Sequence, residues 1–535
     1  MKEFVRAYKW HILFIVLLAI QLFYMLYWGT HKAGYYVDEF FTLDNAHYIS
    51  ESTPGRVKLY DADFLTYDEW HEITDIKSTL TVSREESLLA DSFGHNVKTW
   101  INKGSYSYLL NYVQAIFFDG KLSKWSAISL NILLFILNQI ALYVLTLRIS
   151  KNKLTAVFAM AAYGFSGMAA SMTVYIRFYM LVTLWITLYT LLHVLMWECE
   201  KVKKNLIFEI LSLIVLYLAY KNSPLAVIYG VGLIITFLMV LVCKKRYIQA
   251  ACYGIPVIGG GLFYATFMTN YMKYFLNPTK YADATVSNSA TASLLSGLTT
   301  LNSSNAVSRV VELAHVICRY LFGHALIVGV YLVLAAFMLF FCICKRKEKK
   351  NVGQTSFLLV FCPCVFFCVV SVCLNLETIR YNSCVFPELA VCAVVSVMYL
   401  AEKSGLKKTA AGIMIAVILG ELFMTVSIPR VEYLYREDQA AIEKIGEYKE
   451  IDSVVVDYHF DDRVMYECLA YADEDTRVLF TAYDTIDYST WSDCVLVWQS
   501  VNQDQKVMDE LPQAGYTVVR EVGRTHESVV YLAER

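Results

Sequence analysis

Two adjacent carboxylates, Asp38 and Glu39, follow closely on the first long apolar run, in Gly34-Tyr35-Tyr36-Val37-Asp38-Glu39-Phe40-Phe41-Thr42. Aromatic residues flank the pair on both sides. Partial removal from water raises the basicity of a carboxylate, so one of the two is a candidate general base. Arg177 is a second candidate, in Tyr175-Ile176-Arg177-Phe178-Tyr179-Met180 at the end of an apolar span. An arginine at the centre of a span costs roughly 2.5 kcal/mol or more. At a span's end it either snorkels to the headgroups or grips a phosphate through two parallel hydrogen bonds. Arg380, in Glu377-Thr378-Ile379-Arg380-Tyr381, is the third, with an ion pair to Glu377 as its alternative. A carboxylate base and two membrane-level arginines fit transfer of a group from a phosphate-linked lipid. Asp44 and His47 could help to hold a divalent cation near Asp38, although two ligands alone do not define a metal site. His193, Glu209, Glu388 and Glu421 are scattered through different spans and read as buried hydrogen-bonded structure rather than a proton path.

The elements that must position these residues are membrane helices. Of 535 residues 57% are hydrophobic and only 18% charged, against roughly a quarter charged in soluble domains. A net charge of −2 argues against nucleic acid as a partner. Most of the 14 cysteines lie in apolar stretches and act there as small hydrophobes, Cys362-Pro363-Cys364 included. Spanning a bilayer takes about 20 mostly apolar residues. Such runs occur at 11–30, 125–148, 154–172, 174–197, 206–220, 223–243, 249–269, 322–344, 355–374, 384–402 and 407–428, about eleven spans in a mainly α-helical chain. With the N-terminus in the cytoplasm, every short inside segment is basic, from Arg148–Lys153 to Lys403–Lys408, as the positive-inside rule requires. The odd count puts the C-terminal segment outside, and the protein is expected to be a multi-pass cell-membrane protein.

Two polar segments interrupt the helical pattern. Residues 430–535 carry strand-like runs at Ser453–Tyr458, Arg477–Thr481, Cys494–Trp498, Tyr516–Val522 and Ser528–Tyr531, with helical patterns between some of them. Alternating strands and helices predict a small extracytoplasmic α/β domain, separate from a transmembrane domain over 1–429. It shows no nucleotide fingerprint, nucleophile elbow or metal-spaced histidines; Cys468 and Cys494 could pair as a disulfide. The first external loop, about 31–124, is too long for a mere connector. It contains amphipathic stretches such as Ser87–Trp100, and its run Tyr106–Phe118 predicts a helix in the membrane interface, with Tyr106, Tyr108 and Tyr112 at headgroup depth.

Four places in the sequence resemble the membrane glycosyltransferases of the GT-C fold, in particular bacterial members related to protein O-mannosyltransferases and aminoarabinose transferases. Val37-Asp38-Glu39-Phe40 resembles the family's acidic first-loop motif. Tyr163-Gly164-Phe165-Ser166 followed by Ile176-Arg177-Phe178-Tyr179-Met180 resembles its Arg-x-Tyr span. Ser123-Lys124-Trp125 leading into Asn131 resembles the start of its second span, and Arg380-Tyr381 with Pro387 beyond resembles its late Arg-Tyr motif. The resemblance covers roughly the first 430 residues. It implies a polyprenyl-phosphate-linked sugar as donor and an extracytoplasmic protein or glycan as acceptor. Asp38 would be the base, Glu39 would orient the acceptor or help to place the donor, and Arg177, Arg380 and Tyr381 would hold the lipid phosphate, with Tyr179 as an accessory. The chain departs from the family where many relatives have His-Pro-Pro and it reads Asn102-Lys103-Gly104-Ser105-Tyr106. The competing expectations are a polytopic lipid or polysaccharide transporter, which would show inverted repeats, and a non-catalytic envelope assembly protein using the acidic tail.

Overall fold

The structure is a computed structural model that describes residues 2–48, 69–87, 104–199, 202–263, 303–323, 330, 352–374, 379–428, 430–457, 462–481, 487–502 and 509–535. Among these, eight helices are long and apolar enough to cross a membrane: Lys9–Thr30, Lys124–Ser150, Tyr179–Glu198, Asn205–Asn222, Leu225–Cys243, Gln354–Cys373, Ile379–Lys403 and Lys407–Ser427. A bent pair, Lys153–Gly164 and Gly167–Val174 meeting at 56°, makes a ninth. Nine of the eleven expected spans are thereby accounted for. The other two run into residues outside the described set; helix Tyr247–Phe263 is the described part of one of them. The chain is a multi-pass membrane protein.

The chain divides into two compact units. The first comprises residues 1–24, 133–172 and 178–431 and is a bundle of apolar helices. Its buried polar groups are only in part satisfied by neighbours: among the described residues Glu209 and Glu421 each keep a buried carboxylate oxygen that makes no hydrogen bond, whereas His193 is fully paired. His193 bonds through Nδ1 to the Tyr189 carbonyl at 2.8 Å and through Nε2 to the Tyr253 hydroxyl at 2.7 Å. Both ring nitrogens are thus used structurally, as expected of a buried imidazole in a bundle. The bend at residues 165–166 follows Gly164, where a Cβ would lie 2.0 Å from the Gln21 amide nitrogen. Only glycine lets this glutamine lie against the helix and donate to the Met160 carbonyl at 2.9 Å.

The second unit joins residues 25–132, 173–177 and 432–535. At its centre is a six-stranded mixed sheet with β1 Trp70–Glu72, β2 Ser453–Val456, β3 Arg477–Phe480, β4 Cys494–Ser500, β5 Val518–Arg524 and β6 Ser528–Glu534, in the order β1-β3-β2-β4-β6-β5. β2 runs parallel to both β3 and β4, and helix Asp462–Tyr471 makes the crossover from β2 to β3. Every strand-like run of the tail became a strand. Hydrophobic side chains of one face, Val455, Leu479, Val495, Val497 and Ala533, close on Trp491, Leu511 and Tyr516.

Three expectations change. The boundary at 429/430 does not isolate the sheet, because β1 from the first loop forms its edge, pairing Trp70 with Leu479 and Glu72 with Arg477. A strand this short carries no pattern of its own; it forms because β3 offers it an open edge. Cys468 and Cys494 are free thiols, one buried in helix Asp462–Tyr471 and the other at the start of β4. The aromatic helix forms at Ser105–Phe117, yet Tyr106 and Tyr108 are buried in protein, whereas Ile116 and Phe117 at its end are exposed. Of the stretch Ser87–Trp100, all but Ser87 lies outside the described residues.

Replacing Trp70-His71-Glu72 by three glycines should strip the cover from β3. The amides of residues 477–480 are then expected to exchange with solvent at least about tenfold faster, while those of the apolar helices keep their protection. Unchanged exchange at β3 would show that β1 adds nothing to the sheet.

Candidate active site

Asp38 and Glu39 follow the first helix, α1, Lys2–Thr30, and fall in the first turn of the next, α2, Val37–Tyr48, so their side chains project in different directions although they are adjacent in sequence. Glu39 turns inward and is fully buried. Its Oε2 accepts from the Tyr36 backbone N–H at 2.7 Å, three residues back, which is one half of a capping box and starts the helix. Lys32 pairs with the same oxygen at 2.9 Å, and its ammonium also donates to the Tyr433 carbonyl at 2.7 Å. Burial pushes the Glu39 carboxyl up and the Lys32 ammonium down, and the attraction between the two opposes both shifts.

The other Glu39 oxygen reaches a break in the helical chain. Between Gly167–Val174 and Tyr179–Glu198 the backbone turns sharply, with the Arg177 N–H bonded to the Tyr175 carbonyl at 2.8 Å. That turn leaves the Ile176 N–H without a helical acceptor, and Glu39 Oε1 takes it at 2.7 Å. Asn131 caps the preceding helix by donating to the carbonyls of Thr173 and Tyr175 at 3.2 and 2.8 Å, and is itself held by the Tyr106 hydroxyl at 2.9 Å.

Asp38 faces the other way, with about a quarter of its side chain exposed. The Tyr175 hydroxyl donates to its Oδ2 at 3.2 Å. Arg177 donates from Nη1 to the Asp38 carbonyl at 2.8 Å and to the Thr42 hydroxyl at 3.0 Å, and its Nη2 stands 3.9 Å from Asp38 Oδ2. Tyr433 stacks on Tyr175 with ring centroids 3.8 Å apart, and it does so at φ +64°, a left-handed conformation that a bulky side chain seldom adopts. The first loop, the 173–177 turn and the start of the tail therefore meet at one acidic helix start. The carboxylate is fixed in place by neighbours, accessible at one edge and set beside a cation.

The remaining sequence candidates separate from this group. Asp44 and His47 are buried further along α2, and His47 Nδ1 contacts the Thr81 carbonyl at 2.7 Å. Neither belongs to the one group of three ligand-type side chains with converging atoms among the described residues, which is Asp438, Glu467 and His526. Arg380 and Tyr381 lie in the other unit, in the first turn of the spanning helix Ile379–Lys403. There the guanidinium lies 5.1 Å from the Tyr381 ring centre and donates to its hydroxyl at 3.4 Å. Glu377 is outside the described residues. Tyr179 is buried at the start of helix Tyr179–Glu198. Sequence reasoning missed Lys32, Tyr175, Asn131 and Tyr433. Only Asn131 and Tyr175 lay in quoted motifs; Lys32 looked like any basic residue at the end of a span.

Removing one partner of a buried ion pair strands the other charge, at a cost of about 3–5 kcal/mol. Lys32→Met should therefore lower the melting temperature of the detergent-solubilised protein strongly. Glu39→Gln should cost less than Glu39→Leu, because the amide oxygen still accepts one of the two backbone N–H groups. Equal effects of Gln and Leu in thermal melts would show that the backbone contacts of Glu39 are immaterial.

No family model matches the chain, and no curated protein matches it. Among solved structures, the aminoarabinose transferase ArnT from Cupriavidus metallidurans bound to undecaprenyl phosphate is similar at a TM-score of 0.58, with 12% identity over 98% of both chains. The apo state of the same protein is similar at 0.55, with 11% identity over 98% of both chains. The likeness spans nearly the whole chain. The chain has the GT-C fold that its motifs led us to expect.

Proposed function

We propose that this protein is an integral membrane glycosyltransferase that moves a sugar from a polyprenyl-phosphate donor to an extracytoplasmic acceptor hydroxyl or amine. The observation that carries the reading is the Asp38 carboxylate, held by Tyr175 and Arg177 at an exposed edge of an otherwise buried helix start. A base needs that combination of fixed geometry and access. The GT-C fold supports the reaction class, and a neighbour of that fold that binds undecaprenyl phosphate supports the donor class. The basic short segments between spans support a cytoplasmic N-terminus and an extracytoplasmic sheet.

The lipid phosphate is already a good leaving group, so the enzyme's task is to position the acceptor, take its proton and steady the departing charge. The acceptor oxygen or nitrogen forms a bond to the anomeric carbon, and its proton passes to Asp38. The bond from that carbon to the phosphate oxygen breaks, and the electron pair leaves with the lipid phosphate. Arg177 orients Asp38 through the Asp38 carbonyl and supplies positive charge beside it. Arg380 and Tyr381 are assigned to the donor phosphate on their motif. Glu39, buried and committed to Lys32 and two peptide groups, supports the turn rather than touching substrate.

Asp38→Asn is expected to bind undecaprenyl phosphate as wild type does and to lose transfer by about 10²–10⁴-fold. Arg380→Ala is expected to weaken binding of that lipid in native mass spectrometry. Wild-type turnover by Asp38→Asn would remove the proposed base. Unaltered lipid binding by Arg380→Ala would remove the phosphate assignment.

A further inference from the structure

The sheet-bearing unit contains a second convergent group that the transfer reaction does not use. Asp438 comes from the turn Arg436–Asp438, Glu467 from helix Asp462–Tyr471, and His526 from the connection between β5 and β6. One potential ligand atom from each lies within 4.8 Å of the other two. We propose that Asp438, Glu467 and His526 bind one divalent transition-metal ion of the zinc class.

The case rests on an imbalance of donors and charge. His526 Nδ1 stands between two carboxylates, 2.5 Å from Asp438 Oδ2 and 3.5 Å from Glu467 Oε1. A ring nitrogen carries at most one proton and can give it to only one of them. Glu467 Oε1 then makes no well-formed hydrogen bond, although Glu467 is 1% exposed; the Ser528 hydroxyl beside this carboxylate, also without a well-formed bond, adds no charge to balance it. Burying such an oxygen unpaired is costly. The nearby cation Arg463 is already paired with Glu527 at 3.0 Å. Two buried carboxylates thus face a single imidazole, and a doubly charged ion with neutral histidine balances them.

The other contacts of the three residues are those of oriented ligands. The second oxygen of Glu467 accepts from the Thr525 hydroxyl, and Asp438 Oδ1 accepts from the His526 backbone N–H at 2.8 Å. The Tyr435 ring stacks on the imidazole at 4.1 Å. Each carboxylate is therefore held by one oxygen and presents the other to the ring nitrogen, as outer contacts do for metal ligands. Zinc bonds of about 2.0–2.2 Å in a tetrahedral site place ligand atoms roughly 3.3 Å apart. The Glu467–His526 separation already fits; Asp438 Oδ2 needs to retreat from the ring nitrogen by about 1 Å as the ion replaces the shared proton, and the two carboxylate oxygens, within 4.8 Å of each other, close on the same ion. Imidazole among the ligands disfavours magnesium and calcium, which take oxygen donors. Gly34 of the first loop passes so close that a Cβ there would lie 3.0 Å from Asp438 Oδ2. The ion would accordingly clasp the tail's entry, its helix and its last hairpin beside the segment that carries Lys32.

The alternative is a proton held on Glu467, whose carboxyl burial pushes up to about 7. Glu467→Gln separates the two, since glutamine mimics the protonated acid but is a poor ligand. The full-length protein in detergent, treated with chelator and then titrated with zinc chloride, is expected to take up one zinc per chain and to melt at a higher temperature with it. Glu467→Gln should keep the melting temperature of the metal-free wild type while losing zinc affinity by more than about tenfold, and His526→Asn should lose it likewise. The proposal falls if the wild type takes up no zinc, or if Glu467→Gln binds zinc as the wild type does. Neither outcome bears on sugar transfer.

Discussion

The second unit depends on one buried carboxylate. Glu39 neutralises Lys32, completes the first turn of α2 through the Tyr36 N–H, and satisfies the Ile176 N–H at a break in the helical chain. Through Lys32 it also anchors the Tyr433 carbonyl, which lies 401 residues beyond that lysine in sequence. A buried ion pair by itself is weak support for stability, because desolvating both charges costs about as much as their attraction returns. Here the pair is retained because no apolar substitute could accept two backbone hydrogen bonds and balance an ammonium at once. The interaction fixes where three segments meet, and Asp38 occupies that junction.

Strain in the tail's first residues follows from the same junction. Tyr433 and Tyr435 both have positive φ, at +64° and +50°, a conformation costing roughly 1–3 kcal/mol per residue. The return is contact. Tyr433 stacks on Tyr175, the Leu434 carbonyl accepts from Ala33 at 2.8 Å, and Arg436 lies over the buried Trp28 ring at 4.9 Å. A chain that relaxed these two residues would turn away from Lys32 and remove the stacking partner of the tyrosine that holds Asp38.

What could be read from the sequence divides by range of interaction. The spans were legible because a bilayer demands long apolar runs, and the tail's strands because alternation and turn residues are local. Asp38 and Arg177 were legible as chemical types out of place beside a membrane. The joining of Trp70–Glu72 to β3 was not, since three residues carry no periodicity and the decisive partner lies some four hundred residues on. The aromatic run predicts the helix but not its orientation: composition places Tyr106 at headgroup depth, whereas its hydroxyl donates to Asn131 inside the protein. Asp438, Glu467 and His526 escaped notice because metal spacing in a sequence reports only ligands on one element, and these sit on three.

The acidic pair shows why composition alone cannot assign roles. Successive residues of a helix point about 100° apart, so two neighbouring carboxylates cannot share an environment. At the second position of α2 the side chain emerges toward solvent beside Arg177, while at the third it curls back to the cap and into the interior. Desolvation, which the aromatic flanks suggest for both, falls on Glu39 and pushes its carboxyl up, yet that group is held by three partners and shut off from solvent. Asp38 keeps access and gains its setting from Tyr175 and Arg177 instead. A carboxylate in this position keeps its geometry because it is held still at an exposed edge, and the buried neighbour is what fixes the helix start that carries it.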